Sequence, residues 1–120
     1  MQTGRIDLRK LRRLTTFIQD RLHERISLAD LARQVALTPF HFARSFRLTT
    51  GSTPGHFVRT ARMQRASELA RSTFLSTAAL AERVGYANVA HFRDAFVQTF
   101  GCTPAALRAS TTRLAGSARR

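Results

Sequence analysis

The 120-residue chain is long enough for one compact domain or two very small subdomains, and its hydrophobic fraction of 43% is that of a globular protein. No run reaches the roughly eighteen apolar residues that a membrane span requires, and the first residues contain no apolar signal segment, so we expect a soluble cytoplasmic protein. The net charge of +13 predicts a polyanionic partner, with nucleic acid favoured over an anionic membrane surface.

Apolar periodicity and capping patterns predict an all-α chain. Ser27 and Asp30 have the spacing of a capping box, and Thr38 followed by Pro39 is typical of an N-cap with proline in the first helical position. Gly101 is expected to end the sixth of seven helices. The predicted helices cover about 7–23, 28–36, 39–50, 54–72, a short helix from the cap Ser76 to about 84, 88–100, and a last helix that begins at Pro104.

Two parts of the chain nearly repeat each other. The stretch ISLADLARQV matches LSTAALAERV at an offset of 49 residues, and HFARSFRLTTGSTP matches HFRDAFVQTFGCTP at an offset of 50. A helix, a short turn and a second helix in each copy predict two helix-turn-helix motifs. We therefore expect an N-terminal subdomain over 1–53, a connecting helix over 54–72, a C-terminal subdomain over 73–109 and a disordered basic tail over 110–120.

The second helix of each motif has one face suited to a core and another suited to a ligand. At 100° per residue, the phenylalanines at 42 and 46 share a face, as do those at 92 and 96. In this motif the second helix enters the major groove of DNA, where arginine pairs with guanine, aspartate accepts from cytosine, and apolar groups meet the thymine methyl. The candidate base-reading residues are Phe40, His41, Ala43 and Arg44 in the first motif and Ala90, His91, Asp94 and Val97 in the second. The candidate phosphate contacts are Thr38, Arg47, Arg93 and Gln98.

Several short motifs recur at matching places in the two halves. They are the Leu-Ala pairs at 31 and 80, the Phe-x-x-x-Phe pairs at 42 and 92, and Gly-x-Thr-Pro at 51 and 101. Together with VGY at 84 and ARM at 61, they resemble the DNA-binding domain of AraC/XylS-type transcription regulators over residues 8–109. The resemblance implies seven helices forming two helix-turn-helix subdomains joined by a long central helix. It also implies a sequence-specific regulator that binds double-stranded DNA as a monomer, at a promoter site with two half-sites about one turn apart, with RNA polymerase as a further candidate partner.

Two positions of the second motif depart from the pattern of that family. The family usually has arginine where Asp94 stands and a basic residue where Val97 stands. The segment 88–100 carries no net charge, because the positive charge of Arg93 is balanced by the negative charge of Asp94. We therefore expect the second motif either to read a cytosine through Asp94 or to act as a weaker auxiliary clamp.

Three arginines lie on one stretch of the predicted connecting helix. Arg59 and Arg65 are expected either to contact phosphates or to form ion pairs with Glu68 and Asp94. Arg62, within ARM, matches a family position that looks structural, so it is left out of the predicted DNA contacts.

Other functions fit the sequence less well. The histidines at 41 and 91 have no carboxylate or cysteine at ligand spacing and Cys102 is the single cysteine, so we predict no metal site and no cofactor. The chain has no nucleophile elbow, phosphate loop or zinc-protease motif, so we predict that it is not an enzyme. The alternatives are a basic ribosome-associated or other RNA-binding protein and a sequence-neutral architectural DNA-binding protein.

Overall fold

The computed structural model describes the backbone of residues 4–118 and the side chains of residues 4–111. The described part of the chain forms seven α-helices and no strand, which confirms the predicted all-α fold. The helices are α1 (Leu8–Asp20), α2 (Leu28–Gln34), α3 (Pro39–Thr50), α4 (Pro54–Ser72), α5 (Thr77–Arg83), α6 (Val89–Phe100) and α7 (Pro104–Ala118). Over the described residues, none of these helices combines the length and the apolar character needed to cross a membrane.

Side-chain caps hold the helix starts that the sequence predicted. Ser27 Oγ accepts from the Asp30 N–H and Asp30 Oδ2 accepts from the Ser27 N–H, each at 3.0 Å, so the capping box of α2 is complete. Hydrogen bonds from Ser27 are the largest cause of the lowered pKa of the Asp30 carboxyl. Thr38 caps α3 and Ser76 caps α5, each with its hydroxyl oxygen as the acceptor.

The first helix is shorter than the predicted 7–23. Asp7 lies outside the helix as its N-cap, where its carboxylate accepts from the Lys10 N–H at 2.8 Å, and the helix ends at Asp20. Leu22 is nevertheless buried in the core. Its side chain therefore continues the apolar periodicity beyond the end of the helix, which is why the pattern predicted three residues too many at that end.

The last helix is longer than the sequence predicted. α7 continues to Ala118, so residues 110–118 are helical where we expected disorder, and residues 119–120 lie outside the described residues. Residues 110–118 include serine, threonine and glycine, which are poor helix formers, beside alanine, leucine and arginine, so helix propensity did not predict this extension either. The stretch contains no proline, so it has no residue that would break the helix that begins at Pro104.

The described chain divides into two compact units, one ending at Ala61 and the other beginning at Arg62. The division falls inside α4, whose range agrees with the predicted helix over 54–72 and which supplies residues to both cores. The core of the first unit contains Ile6, Leu14, Ile18, Leu22, Leu31, Ala32, Val35, Phe42, Phe46 and Val58. The core of the second unit contains Met63, Ala66, Leu69, Ala70, Leu80, Ala81, Val84, Phe92 and Phe96.

The repeat in the sequence is also a repeat in the structure. α2 packs on α3 in the first unit, and α5 packs on α6 in the second. The turns between them both contain a residue with positive φ, Ala36 at 58° and Gly85 at 86°. After these residues, the N–H groups of Leu37 and Tyr86 donate to carbonyls five residues earlier, at 3.1 and 2.8 Å. Each unit therefore contains one helix-turn-helix motif with the same type of turn.

Candidate nucleic-acid interface

The second helix of the first motif has a buried face and an exposed face. Phe42 and Phe46 are 0% and 1% exposed in the core of the first unit. The predicted base-reading residues lie on the other sides of α3, with the alanine half-buried and the other three exposed: Phe40, His41, Ala43 and Arg44. The burial pattern agrees with the predicted helical phase, and the exposed phenylalanine ring, at 71%, has no core role that would explain it.

The start of α3 holds the His41 imidazole in place. Thr38 Oγ1 accepts from the His41 N–H at 3.3 Å and lies 2.9 Å from His41 Nδ1. This second contact restricts the orientation of the His41 ring at the start of α3. Since the predicted phosphate contact Thr38 is engaged twice within the helix start, a phosphate there would be bound by backbone N–H groups.

An open apolar groove adjoins the exposed face of α3. Leu28, Phe40 and Pro54 contribute apolar walls, and Arg44 and Arg47 line the groove as well. Arg47, the other predicted phosphate contact of this motif, is exposed in the last turn of α3. The two guanidinium groups can bind phosphates, and the apolar side chains beside them can contact thymine methyl groups.

The second helix of the second motif is built on the same plan. Phe92 and Phe96 are both 0% exposed in the core of the second unit, and Asn88 caps α6 by accepting from the His91 N–H at 2.9 Å. Val97 is 39% exposed. The other predicted contacts on this helix are also exposed: Ala90, His91, Arg93, Asp94 and Gln98.

The two exposed faces differ in charge. α3 carries Arg44 and Arg47 and no acidic residue, whereas α6 carries Arg93 and Asp94. Among the side chains that the structure describes, no basic group forms an ion pair with Asp94. The first face is therefore positive, and the second presents a carboxylate that is available to an external donor.

The arginines of α4 have three different environments. Arg62 Nη1 donates to the Val84 carbonyl oxygen at 2.7 Å, at the end of α5, and burial of this half-buried guanidinium lowers its pKa. Arg65 Nη1 lies 3.3 Å from Glu68 Oε1 in an exposed ion pair, and Arg59 is exposed. The structural interpretation of Arg62 is thus supported by its hydrogen bond, while a phosphate contact by Arg59 stays a prediction.

The residues that a metal site would need are not brought together. In the part of the chain whose residues are described, no group of three or more histidine, cysteine, aspartate or glutamate side chains is placed to hold a metal ion. His41 and His91 belong to different units, and Cys102 is a half-buried free thiol.

A family model described as a helix-turn-helix domain matches residues 31–110, which is more than half of the chain. The chain belongs to the AraC-type helix-turn-helix family. The match begins inside α2 and ends inside α7, so it includes the first motif from Leu31 onward, the whole of α4 and the whole second motif. The resemblance seen in the short sequence motifs is thereby confirmed.

Two curated relatives of this AraC-type domain are described as transcriptional activators. The HTH-type transcriptional activator RhaR of Mannheimia succiniciproducens is 33% identical over 102 residues, which cover 85% of this chain and 37% of RhaR. The RCS-specific HTH-type transcriptional activator RclR of Escherichia coli K12 is 37% identical over 89 residues, which cover 74% of this chain and 30% of RclR. The chain thus spans about a third of the length of the curated relatives that it matches.

Solved structures show the same AraC-type fold. The DNA-binding domain of the global transcriptional factor AdpA, solved in complex with a target DNA, is 30% identical with a TM-score of 0.78, and the alignment covers 84% of this chain and 91% of that domain. An AraC-type transcriptional regulator from Chromobacterium violaceum is 24% identical with a TM-score of 0.80, over 86% of this chain and 92% of that one, and so shows the fold alone.

Sequence reasoning missed an arginine beside the exposed face of this AraC-type domain. Arg5 Nη1 lies 3.4 Å from the carbonyl oxygen of Leu48, in the last turn of α3. The basic run RIDLRKLRR is a signal for some anion contact, yet it does not indicate which arginine lies beside α3. The contact joins positions 43 residues apart, so local patterns do not encode it.

Proposed function

We propose that this chain acts as a sequence-specific transcription regulator, which inserts α3 and α6 into successive major-groove segments of double-stranded DNA. The observation that carries the proposal is the shared construction of the two helices, with buried phenylalanines on one face and exposed polar and charged residues on the other. The net charge of +13 supports strong attraction to phosphates. RhaR and RclR, described as transcriptional activators, and AdpA, solved with a target DNA, support the same function.

The roles of individual residues are part of this proposal. Arg44 lies at the centre of the exposed face of α3, where a guanidinium can pair bidentately with guanine O6 and N7, and Phe40 can meet a thymine methyl group. Base reading is assigned to Phe40, His41, Ala43, Arg44, Ala90, His91, Asp94 and Val97. Phosphate contact is assigned to Thr38, Arg47, Arg93 and Gln98.

One chain supplies both recognition helices, which supports binding as a monomer to a site with two half-sites about one helical turn apart. RNA polymerase is the proposed protein partner, since the relatives RhaR and RclR are described as activators of transcription. A chromosomal DNA partner also supports a cytoplasmic location at the nucleoid.

Selection from a random duplex library, in competition with excess bulk DNA, tests the proposal. We expect enrichment of duplexes that share a motif with two parts about one turn apart. Equal recovery of all duplexes would indicate a sequence-neutral architectural protein instead. A second competition with structured RNA would identify an RNA-binding protein if the RNA displaced the selected duplex.

The substitution Arg44→Ala is expected to cost about 1–3 kcal/mol on the selected duplex, mainly by removing the preference for guanine at one position. Binding titrations on the selected duplex and on duplexes changed at each base pair measure this loss. Arg47→Ala is the matched control, because Arg47 is an exposed arginine of the same helix assigned to phosphate. It should weaken all duplexes by a similar factor, and if Arg44→Ala does the same, Arg44 contacts phosphate and the assignment is wrong.

Substitutions at Asp94 distinguish the two roles expected for α6. If α6 reads bases, Asp94→Ala should remove a cytosine preference about one turn from the Arg44 contact, worth roughly 1–3 kcal/mol. If α6 is an auxiliary clamp, which its neutral face favours, Asp94→Ala and especially Asp94→Arg should tighten binding to every duplex, because the carboxylate repels phosphates. Titrations on the intact duplex and on duplexes with either half-site scrambled separate the two results.

Glu82→Ala is the control for these variants, because it removes an exposed carboxylate from α5, outside the proposed reading face. If it tightens binding as much as Asp94→Ala, the effect reports net charge alone. Equal affinities of the wild type and both Asp94 variants on every duplex would place Asp94 away from the DNA.

A further inference from the structure

The segment of residues 4–6, before α1, is fixed against the last turn of α3. The Ile6 N–H donates to Thr49 Oγ1 at 2.8 Å, and Thr49 Oγ1 donates in turn to the Ser45 carbonyl oxygen at 2.8 Å. The Ile6 side chain is 5% exposed in the same core as Phe46. A backbone bond and a buried side chain therefore hold the residue that follows Arg5.

This anchoring places the Arg5 guanidinium on the recognition helix. Nη1 lies 3.4 Å from the Leu48 carbonyl oxygen, and Leu48 is 50% exposed. Leu48 is one helical turn after Arg44 on the same side of α3, a rise of about 6 Å along the axis. Arg5 therefore adds a guanidinium group at the C-terminal end of α3, the helix that also carries Arg44 and Arg47.

The bond to Leu48 uses a small part of what Arg5 can donate. A guanidinium has five N–H donors, and the contact with the carbonyl is long. Among the described residues, no carboxylate forms an ion pair with Arg5, and Arg5 is exposed. A cation at a helix C-terminus also interacts favourably with the helix dipole, so a purely stabilising role of Arg5 is the competing explanation.

We propose that Arg5 binds a phosphate of the DNA backbone at the C-terminal end of α3. The proposal rests on the proposed function, because it requires α3 to enter the major groove. In helix-turn-helix proteins the N-terminal residues of the recognition helix meet the base edges, so a cation near the other end of the helix is suited to the backbone. Guanidinium groups pair bidentately with phosphate oxygens.

Salt titrations of Arg5→Ala test the proposal on the selected duplex and on a scrambled one. Losing one phosphate contact should make the slope of log K against log salt shallower by about 0.9, which corresponds to about an eightfold loss of affinity at 0.1 M salt. The loss should be equal on the two duplexes, since phosphates carry no sequence information. Arg5→Lys keeps the charge and should keep the slope of the wild type.

Arg13→Ala is the matched control. Arg13 is also exposed and makes a bond of the same kind and length, from Nη1 to the Gln34 carbonyl oxygen at 3.4 Å, but at the end of α2. An unchanged slope for Arg5→Ala, with a lowered melting temperature, would overturn the proposal in favour of helix capping. An equal change of slope for Arg13→Ala would overturn it in favour of a general charge effect.

The remaining outcomes are also distinguishable. A loss for Arg5→Ala that depends on one base pair would overturn the phosphate contact and indicate base reading. A wild-type protein without salt-dependent duplex binding would reject the proposed function itself, and with it the role of Arg5. A wild type that binds as expected, alongside an Arg5→Ala variant of equal slope, would reject the role of Arg5 alone.

Discussion

The affinity for DNA is expected to fall steeply as salt is added. If six to eight phosphates are neutralised, the slope of log K against log salt should be roughly −5 to −7, so that raising salt from 50 to 200 mM lowers the affinity by about a thousandfold or more. The physical reason is that each neutralised phosphate releases a counterion, and the chain has 20 basic residues against 7 acidic ones to neutralise phosphates. Fluorescence anisotropy titrations of a labelled duplex at several salt concentrations measure the slope.

A scrambled duplex provides the control for this measurement. It should show a similar slope at lower affinity, because phosphate contacts are shared by all sequences while base contacts release few counterions. The ratio of the two affinities should therefore change little with salt. A slope near zero on both duplexes would contradict the proposal that DNA is the partner.

Truncation of one buried phenylalanine of a recognition helix is expected to lower the free energy of unfolding by about 3–5 kcal/mol. Phe46→Ala leaves a cavity in the core of the first unit, and Phe96→Ala leaves one in the core of the second. Small domains have a total stability of about 5–15 kcal/mol, so either loss is a large part of it. Denaturation in guanidinium chloride measures the loss, and amide hydrogen exchange shows which unit is affected.

Phe40→Ala is the matched control within the same helix. The Phe40 ring is 71% exposed, so its removal should change the free energy of unfolding by no more than about 0.5 kcal/mol. The same substitution should weaken binding to the selected duplex if Phe40 meets a thymine methyl group. A destabilisation equal to that of Phe46→Ala would mean that Phe40 packs against the protein and is unavailable to DNA.

Most of the fold could be predicted because its determinants are local. The capping box at Ser27 and the Thr38-Pro39 start are encoded within four residues, and both are present in the structure. The phenylalanine pairs could be assigned to the cores because helical periodicity separates them from the exposed face. The end of α1 was misjudged because Leu22 is buried from a turn, and periodicity does not distinguish a turn residue that packs inward from a helical one.

The candidate site could be predicted as a set of exposed positions, but its tertiary contacts could not. The exposure of Arg44 and Asp94 follows from the helical phase, and the phenylalanine pair of each motif indicates that phase independently. The bond from Arg62 to the Val84 carbonyl spans 22 residues and the bond from Arg5 to Leu48 spans 43. Such contacts depend on how helices pack, and no spacing rule within the sequence encodes them.

The position of the segment of residues 4–6 has a consequence for folding kinetics. The most extensive helix contacts join neighbours along the chain, α1 with α2, α2 with α3, and α5 with α6. Proteins dominated by such contacts fold in microseconds to milliseconds, because little chain entropy is lost before each contact forms. The bonds of this segment to Leu48 and Thr49 instead close a loop of 43 residues, so we expect it to dock last. Arg5 would then reach its place on a recognition helix that has already formed.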